Sequence, residues 1–111
     1  MKSQPMNRTA PVLDVHGAFL QRTNWNGTTL HKADLSRADA SGAQFRDADF
    51  LGARLVGTIL RGADLTGAKN LTVEQLAGAV IDERTLLPAY IDKERLYRAI
   101  EAPSEPAGTR S

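Results

Sequence analysis

The sequence predicts an all-β solenoid, a square coil of about two and a half turns with a short helical C-terminal cap. Three observations predict it. Every fifth position from Leu20 reads Leu20, Trp25, Leu30, Leu35, Ala40, Phe45, Phe50, Leu55, Leu60 and Leu65, and nine of these ten residues are large and apolar. Two positions before each stands only alanine or threonine, from Ala18 to Ala63, and Ala68 continues the series. Two positions after it, glycine fills six of the ten units, at 27, 42, 52, 57, 62 and 67.

A period of five matches neither the 3.6 of a helix nor the 2.0 of a flat strand. It matches a chain that turns a corner every five residues, and four corners close a square of 20. Each side then sends one large and one small residue inward, because so narrow a coil has no room for two large ones. Residues 20 apart stack at about 4.8 Å. The core columns follow: Leu20, Ala40, Leu60; Trp25, Phe45, Leu65; Leu30, Phe50; and Leu35, Leu55. The same register sets Asp34 over Arg54 and Asp49 over Lys69, as candidate surface ion pairs.

Ala33-Asp34-Leu35-Ser36-Arg37, Ala48-Asp49-Phe50-Leu51-Gly52 and Ala63-Asp64-Leu65-Thr66-Gly67 resemble the A-[D/N]-[L/F]-x-x units of the pentapeptide-repeat family. The resemblance covers roughly residues 18–69. It implies a right-handed quadrilateral β-helix. It implies little about activity, since most members have none assigned. The best-understood members are acidic, dimeric proteins that protect DNA gyrase by resembling DNA.

The flanks break the rhythm. Residues 1–10 read as a flexible arm, and Val12, Leu13 and Val15 as a strand leading into a β-helix that occupies 11–69. Residues 70–102 read as a cap with two short helices. Thr72 and Gln75 form a capping box that opens the first, with Val73, Leu76, Ala77 and Val80 on one face. An extended Thr-Leu-Leu-Pro stretch follows, ending at Pro88. The second helix runs from Asp92 to about Ala102, with Leu96, Tyr97, Ala99 and Ile100 as its apolar face, and 103–111 reads as a disordered tail.

Chemistry is sparse. The 111 residues carry 14 Lys and Arg against 13 Asp and Glu, and no cysteine. That excludes a strongly acidic DNA mimic, disulfides, thiolate nucleophiles and zinc–thiolate sites. No apolar run approaches the roughly 18 residues of a membrane span. His16 and His31 have no companion constellation, and the repeat puts His31 and Asp34 on different sides of a corner. Asp49 is the usual residue before a core centre, so it makes no catalytic pair with Asp47. The glycines form no phosphate loop. Within 18–69, seven basic residues against five aspartates scatter over all four sides, which reads as a solvated surface and not a phosphate track.

No catalytic, cofactor-binding or metal-binding residue is predicted, and no cofactor or nucleic-acid partner is expected. The informative oddity is apolar: Leu51, Val56 and Ile59 occupy outward positions where neighbouring units carry polar groups. Either the 92–102 helix folds back over them, or they form a surface for a protein partner or for self-association. The expectation is a non-enzymatic, cytoplasmic interaction or scaffold module. The alternative is a topoisomerase-directed protein of the gyrase-protecting type, which short length and neutral charge disfavour.

Overall fold

The structure, a computed structural model, describes residues 12–101. The predicted arm at 1–10 and tail at 103–111 lie outside the described residues.

Residues 20 apart meet in parallel along four columns: Asp14, Asp34, Arg54; Phe19, Asp39, Ile59; Asn24, Gln44, Asp64; and Thr29, Asp49, Lys69. The coiling therefore runs from Asp14 to Lys69, twelve sides or three coils, and not about two and a half. Two sides escape the periodic reading: the first, where Leu13 stands in the position that later units give to a small residue, and the last, where Asn70 stands in place of a large apolar centre. Each pairing is a single-residue bridge, since five residues per side leave no length for a strand between corners. The predicted lead-in strand is accordingly part of the first coil and not a separate element.

The five-residue unit satisfies all its own donors, as buried or stacked backbone must. In 39–43, Asp39 N–H donates to the Ala18 carbonyl (2.9 Å), Ala40 to Ile59 (2.8 Å), Gly42 to Arg61 (2.8 Å), and Ala43 back to Ala40 (3.0 Å). The fifth donor, Ser41 N–H at the corner, goes to the Asp39 carboxylate at 3.1 Å. The same step of two residues recurs at Asp14, Asn24, Asp34, Asp49, Asp64 and Asp82. The repeated Asp or Asn is thus an Asx turn that closes a corner. The second corner residue is left-handed, at φ 67–73° in the glycines and 59–60° at Arg22, Lys32, Arg37 and Asp47. Glycine dominates there because it alone adopts that conformation without a Cβ clash.

All the predicted core centres are buried except Trp25, which is half-buried in the first coil. Its ring stacks on Phe45 at 6.4 Å and 13°, and its Nε1 donates to Thr23 Oγ1 at 2.6 Å. Phe45 meets Phe50 at 5.4 Å. Threonine at a small inward position brings its own partner: buried Thr58 donates to the Leu35 carbonyl at 2.7 Å.

The cap extends the stack. Helix α1, Val73–Ala77, opens on the Thr72–Gln75 capping box. Gln75 Nε2 also donates to the carbonyls of Phe50 (3.0 Å) and Ala53 (2.9 Å), and the Ala53 carbonyl is one that a further coil would have met. The chain then rejoins two columns, with Val80 pairing to Ile59 and Leu86 to Asp64. Val80 therefore belongs to the coil and not to the α1 face. Helix α2, Lys93–Glu101, packs on α1. Arg95 N–H donates to Asp92 Oδ1 at its start, and Leu96 is buried. Tyr97 and Ile100 of the predicted face stay exposed. Among the described residues, no helix is long and apolar enough to cross a membrane.

Candidate functional site

Corners and side centres face outward, so the register decides which surface residues share a neighbourhood. Leu51 and Val56 stand at successive corners, either side of the Arg54 side, and Ile59 is the bridge residue just beyond the second corner. Leu51 is 52% exposed and Val56 65%, whereas Ile59 is half-buried between Asp39 and Val80 in its column. Helix α2 packs on α1 and leaves Leu51 and Val56 uncovered, so the fold-back expected of the 92–102 helix does not occur. The reason is that Ile91 and Leu96 are buried at the cap, which spends the helix's apolar contact there.

The predicted pairs Asp34–Arg54 and Asp49–Lys69 are in register but form no ion pair within 4.0 Å among the described residues. Each carboxylate is instead turned toward its corner. Asp34 accepts from the Ser36 N–H and hydroxyl, and these bonds hold it below the ordinary carboxylate range. Asp49 accepts from the Asn70 amide, His31 and Leu51 N–H, and is lowered to about 2, chiefly by Asn70 and then by His31. Lateral contacts run 18 residues apart instead of 20: Gln21 to Asp39 (3.0 Å), Asn26 to Gln44 (3.1 Å), His31 to Asp49 (2.7 Å) and Arg46 to Asp64 (3.2 Å). A corner side chain thus reaches the side centre of the next coil.

His16, read from sequence as isolated, lies with Asp14 and Asp34 so that one ligand atom of each falls within 4.8 Å of the others. The 20-residue register brings Asp34 there. The group is solvent-facing and bonded within itself: Asp14 binds His16 Nδ1 at 2.5 Å, which raises the imidazole above its ordinary pKa. Nothing in it is buried or left unpartnered, so its hydrogen bonds account for the arrangement.

One corner gathers positive charge. An open groove of about 890 Å³ runs along the corner between the Phe19 and Asn24 columns, lined by Arg22, Arg61 and Arg84 with Gln21, Ser41 and Asp82 among its walls. Within 18–69 the basic residues keep the scatter read from sequence, and only Arg22 and Arg61 share this corner. Arg22 and Arg61 sit at adjacent positions of the 20-residue register. Arg84 joins them only because the cap spacings are 21 and 22 residues, Ile59 to Val80 and Asp64 to Leu86.

The sequence matches the family model described as pentapeptide repeats in eight copies, over residues 14–47 and 41–69. No curated protein matches it. Among solved structures it is similar to a pentapeptide repeat protein (Rfr23) from the cyanobacterium Cyanothece 51142, with 32% identity and a TM-score of 0.61 over 69% of this chain and 52% of that one. This chain therefore spans about half the length of that relative. A pentapeptide repeat protein from Nostoc Pcc 7120 is 26% identical over 75% of this chain and 80% of that chain, with a TM-score of 0.33. One from the Arabidopsis thaliana thylakoid lumen is 26% identical over 75% of each chain, with a TM-score of 0.23.

Proposed function

The chain belongs to the pentapeptide-repeat family, and from that premise we propose that it is a right-handed quadrilateral β-helix acting as a non-enzymatic protein-interaction module. The observation that carries this reading is the exposure of Leu51 (52%) and Val56 (65%) at successive corners of a rigid stack. Apolar side chains left in water at regular spacing are costly to display without a contact to make. With Ile59 they form the surface through which a protein partner, or a second copy, is met. The filled core supports the non-enzymatic assignment, because inward positions are spent on packing and the polar side chains are spent on corners.

Residues 11–69 and the cap at 70–102 act in this reading as one continuous unit, since Val80 and Leu86 extend the coil's own columns. The topoisomerase-directed alternative draws no support from the comparisons, and the near-neutral charge opposes it. Capture from source-cell lysate on tagged protein, beside a Val56→Asp control and sedimentation velocity of each, tests the proposal. A protein retained by wild type and lost from the control, or a dimer that the control dissociates, supports it. Equal capture and equal sedimentation of the two proteins overturns it.

A further inference from the structure

The arginine corner is the next one on from Val56, across the side that carries Ile59, and has chemistry of its own. Arg46, Arg95 and Arg98 each hold a carboxylate within 4.0 Å. Among the described residues, Arg22, Arg61 and Arg84 have no such ion pair. The nearby carboxylates are already committed. Asp39 accepts from the Ser41 N–H and hydroxyl and from Gln21. Asp82 accepts from Gly62 N–H, Arg84 N–H and Thr85 Oγ1. Both are held as anions by these bonds; Asp39 attracts Arg61 and Asp82 attracts Arg84 without either closing to an ion pair within 4.0 Å, so among the described residues the guanidinium donors stay unbonded.

Gly42 and Gly62 take the second corner position in register with Arg22: the Arg22 stem lies over Gly42, its Cγ 3.4 Å from where a Cβ would stand, whereas a Cβ built on Gly62 would meet nothing within 4 Å, so the floor is open at Gly62. Three arginines thus line one open trough, and guanidinium forks match phosphate oxygens in pairs. A volume of about 890 Å³ is within the range of small-molecule sites. The chain's net charge of only +1 supplies no long-range field for a nucleic-acid strand or an anionic membrane. The charge is local, and so is the ligand it suits.

We infer that the corner groove formed by Arg22, Arg61 and Arg84 binds a short chain of linked phosphates, as carried by a nucleoside triphosphate or by free tripolyphosphate. Coils rise about 4.8 Å each, so the arginines are graded along the groove and long enough to close on successive phosphates of one ligand.

Isothermal titration of the full chain with tripolyphosphate, ATP and inorganic phosphate tests this at low and moderate salt. Tripolyphosphate and ATP bind, more tightly than inorganic phosphate, and salt weakens both. ATP binding the tighter assigns contacts to the nucleoside as well; equal affinities assign the site to the phosphate chain alone. The double variant Arg61→Gln/Arg84→Gln loses tenfold or more, while Arg46→Gln at another corner stays within twofold. Amide shifts of Gly42 and Gly62 on titrating wild type with tripolyphosphate give the same answer without any variant. Absence of binding, equal loss in Arg46→Gln, unmoved glycine amides, or a single-stranded oligonucleotide that binds more tightly than tripolyphosphate overturns the inference.

Discussion

Replacing Phe50 by alanine removes a ring that is fully buried, lies 5.4 Å from Phe45 and stacks in one column with Leu30. The coil cannot collapse to fill the space, because its diameter is set by five-residue sides whose backbone bonds tie each coil to the next. The cost is therefore the full one for a large-to-small change in a rigid core, about 3–5 kcal/mol. A domain of this size is stable by about 5–15 kcal/mol in all. At about 4–8 °C per kcal/mol, the midpoint of thermal unfolding followed by circular dichroism falls by roughly 12–40 °C, or the variant fails to fold. Phe19→Ala is the matched control. Its ring is 84% exposed at the side centre of the first coil, and its loss costs about 0.5 kcal/mol or less. A Phe50→Ala midpoint within about 4 °C of wild type, or a Phe19→Ala as damaging as Phe50→Ala, refutes the assigned core.

The corner carboxylates make stability fall in acid. Asp14, Asp34, Asp39, Asp49, Asp64 and Asp82 are all lowered in the fold, Asp49 to about 2 from 3.8. A carboxylate lowered by folding contributes fully above its unfolded pKa and loses that contribution as pH drops through its folded one. The melting midpoint therefore declines steadily from about pH 4 to about pH 2; a midpoint unchanged over that window contradicts the Asx-turn corners. Lys32 holds φ 59° at an exposed corner where other units carry glycine. Lys32→Gly relieves left-handed strain of roughly 1–2 kcal/mol against an entropic cost of roughly 0.5–1 kcal/mol, so chemical denaturation shows an unchanged or modestly stabilised protein, and a clear loss contradicts it. Tyr90→Phe removes a hydroxyl that donates to the Ala68 carbonyl (2.5 Å) and accepts from Leu71 N–H (3.1 Å). It costs about 1–3 kcal/mol in a urea melt, and an unchanged midpoint shows that the cap is not pinned there.

Much of this architecture is legible because it is written as spacing. The series Leu20 to Leu65 and the small residues before it determine the four columns, and Thr72 with Gln75 marks the start of α1. What spacing conceals falls where local geometry departs from period. The first side of the first coil is hidden by Leu13 in a small position. The ion pairs read at 20 residues are displaced to 18, because Asp34 and Asp49 turn to their own corner N–H groups and the corner side chains lean toward the next coil. Val80 reads as helical by its spacing from Leu76, yet pairs with Ile59 once the chain leaves α1 at Gly78. The arginine groove is hidden for the same reason, since Arg84 reaches the corner through the cap's uneven insertions. The apolar corner of Leu51 and Val56 is visible in the sequence, but its exposure depends on where α2 spends Leu96, which no periodicity states.

The 20-residue register places every outward residue named above, and native-state amide hydrogen exchange tests it most directly. The N–H groups of Leu35, Arg37, Ala38, Asp39, Ala40 and Gly42, all donated to backbone carbonyls, exchange slowly and together, near the rate of global unfolding. Those of Ser36 and Ser41, held only by the corner carboxylates of Asp34 and Asp39, exchange faster. A repeating pattern of four protected amides and one open one, every five residues from Ala33 to Asp47, is the predicted result. Protection that is uniform, or that follows a different period, contradicts the coil and everything placed upon it.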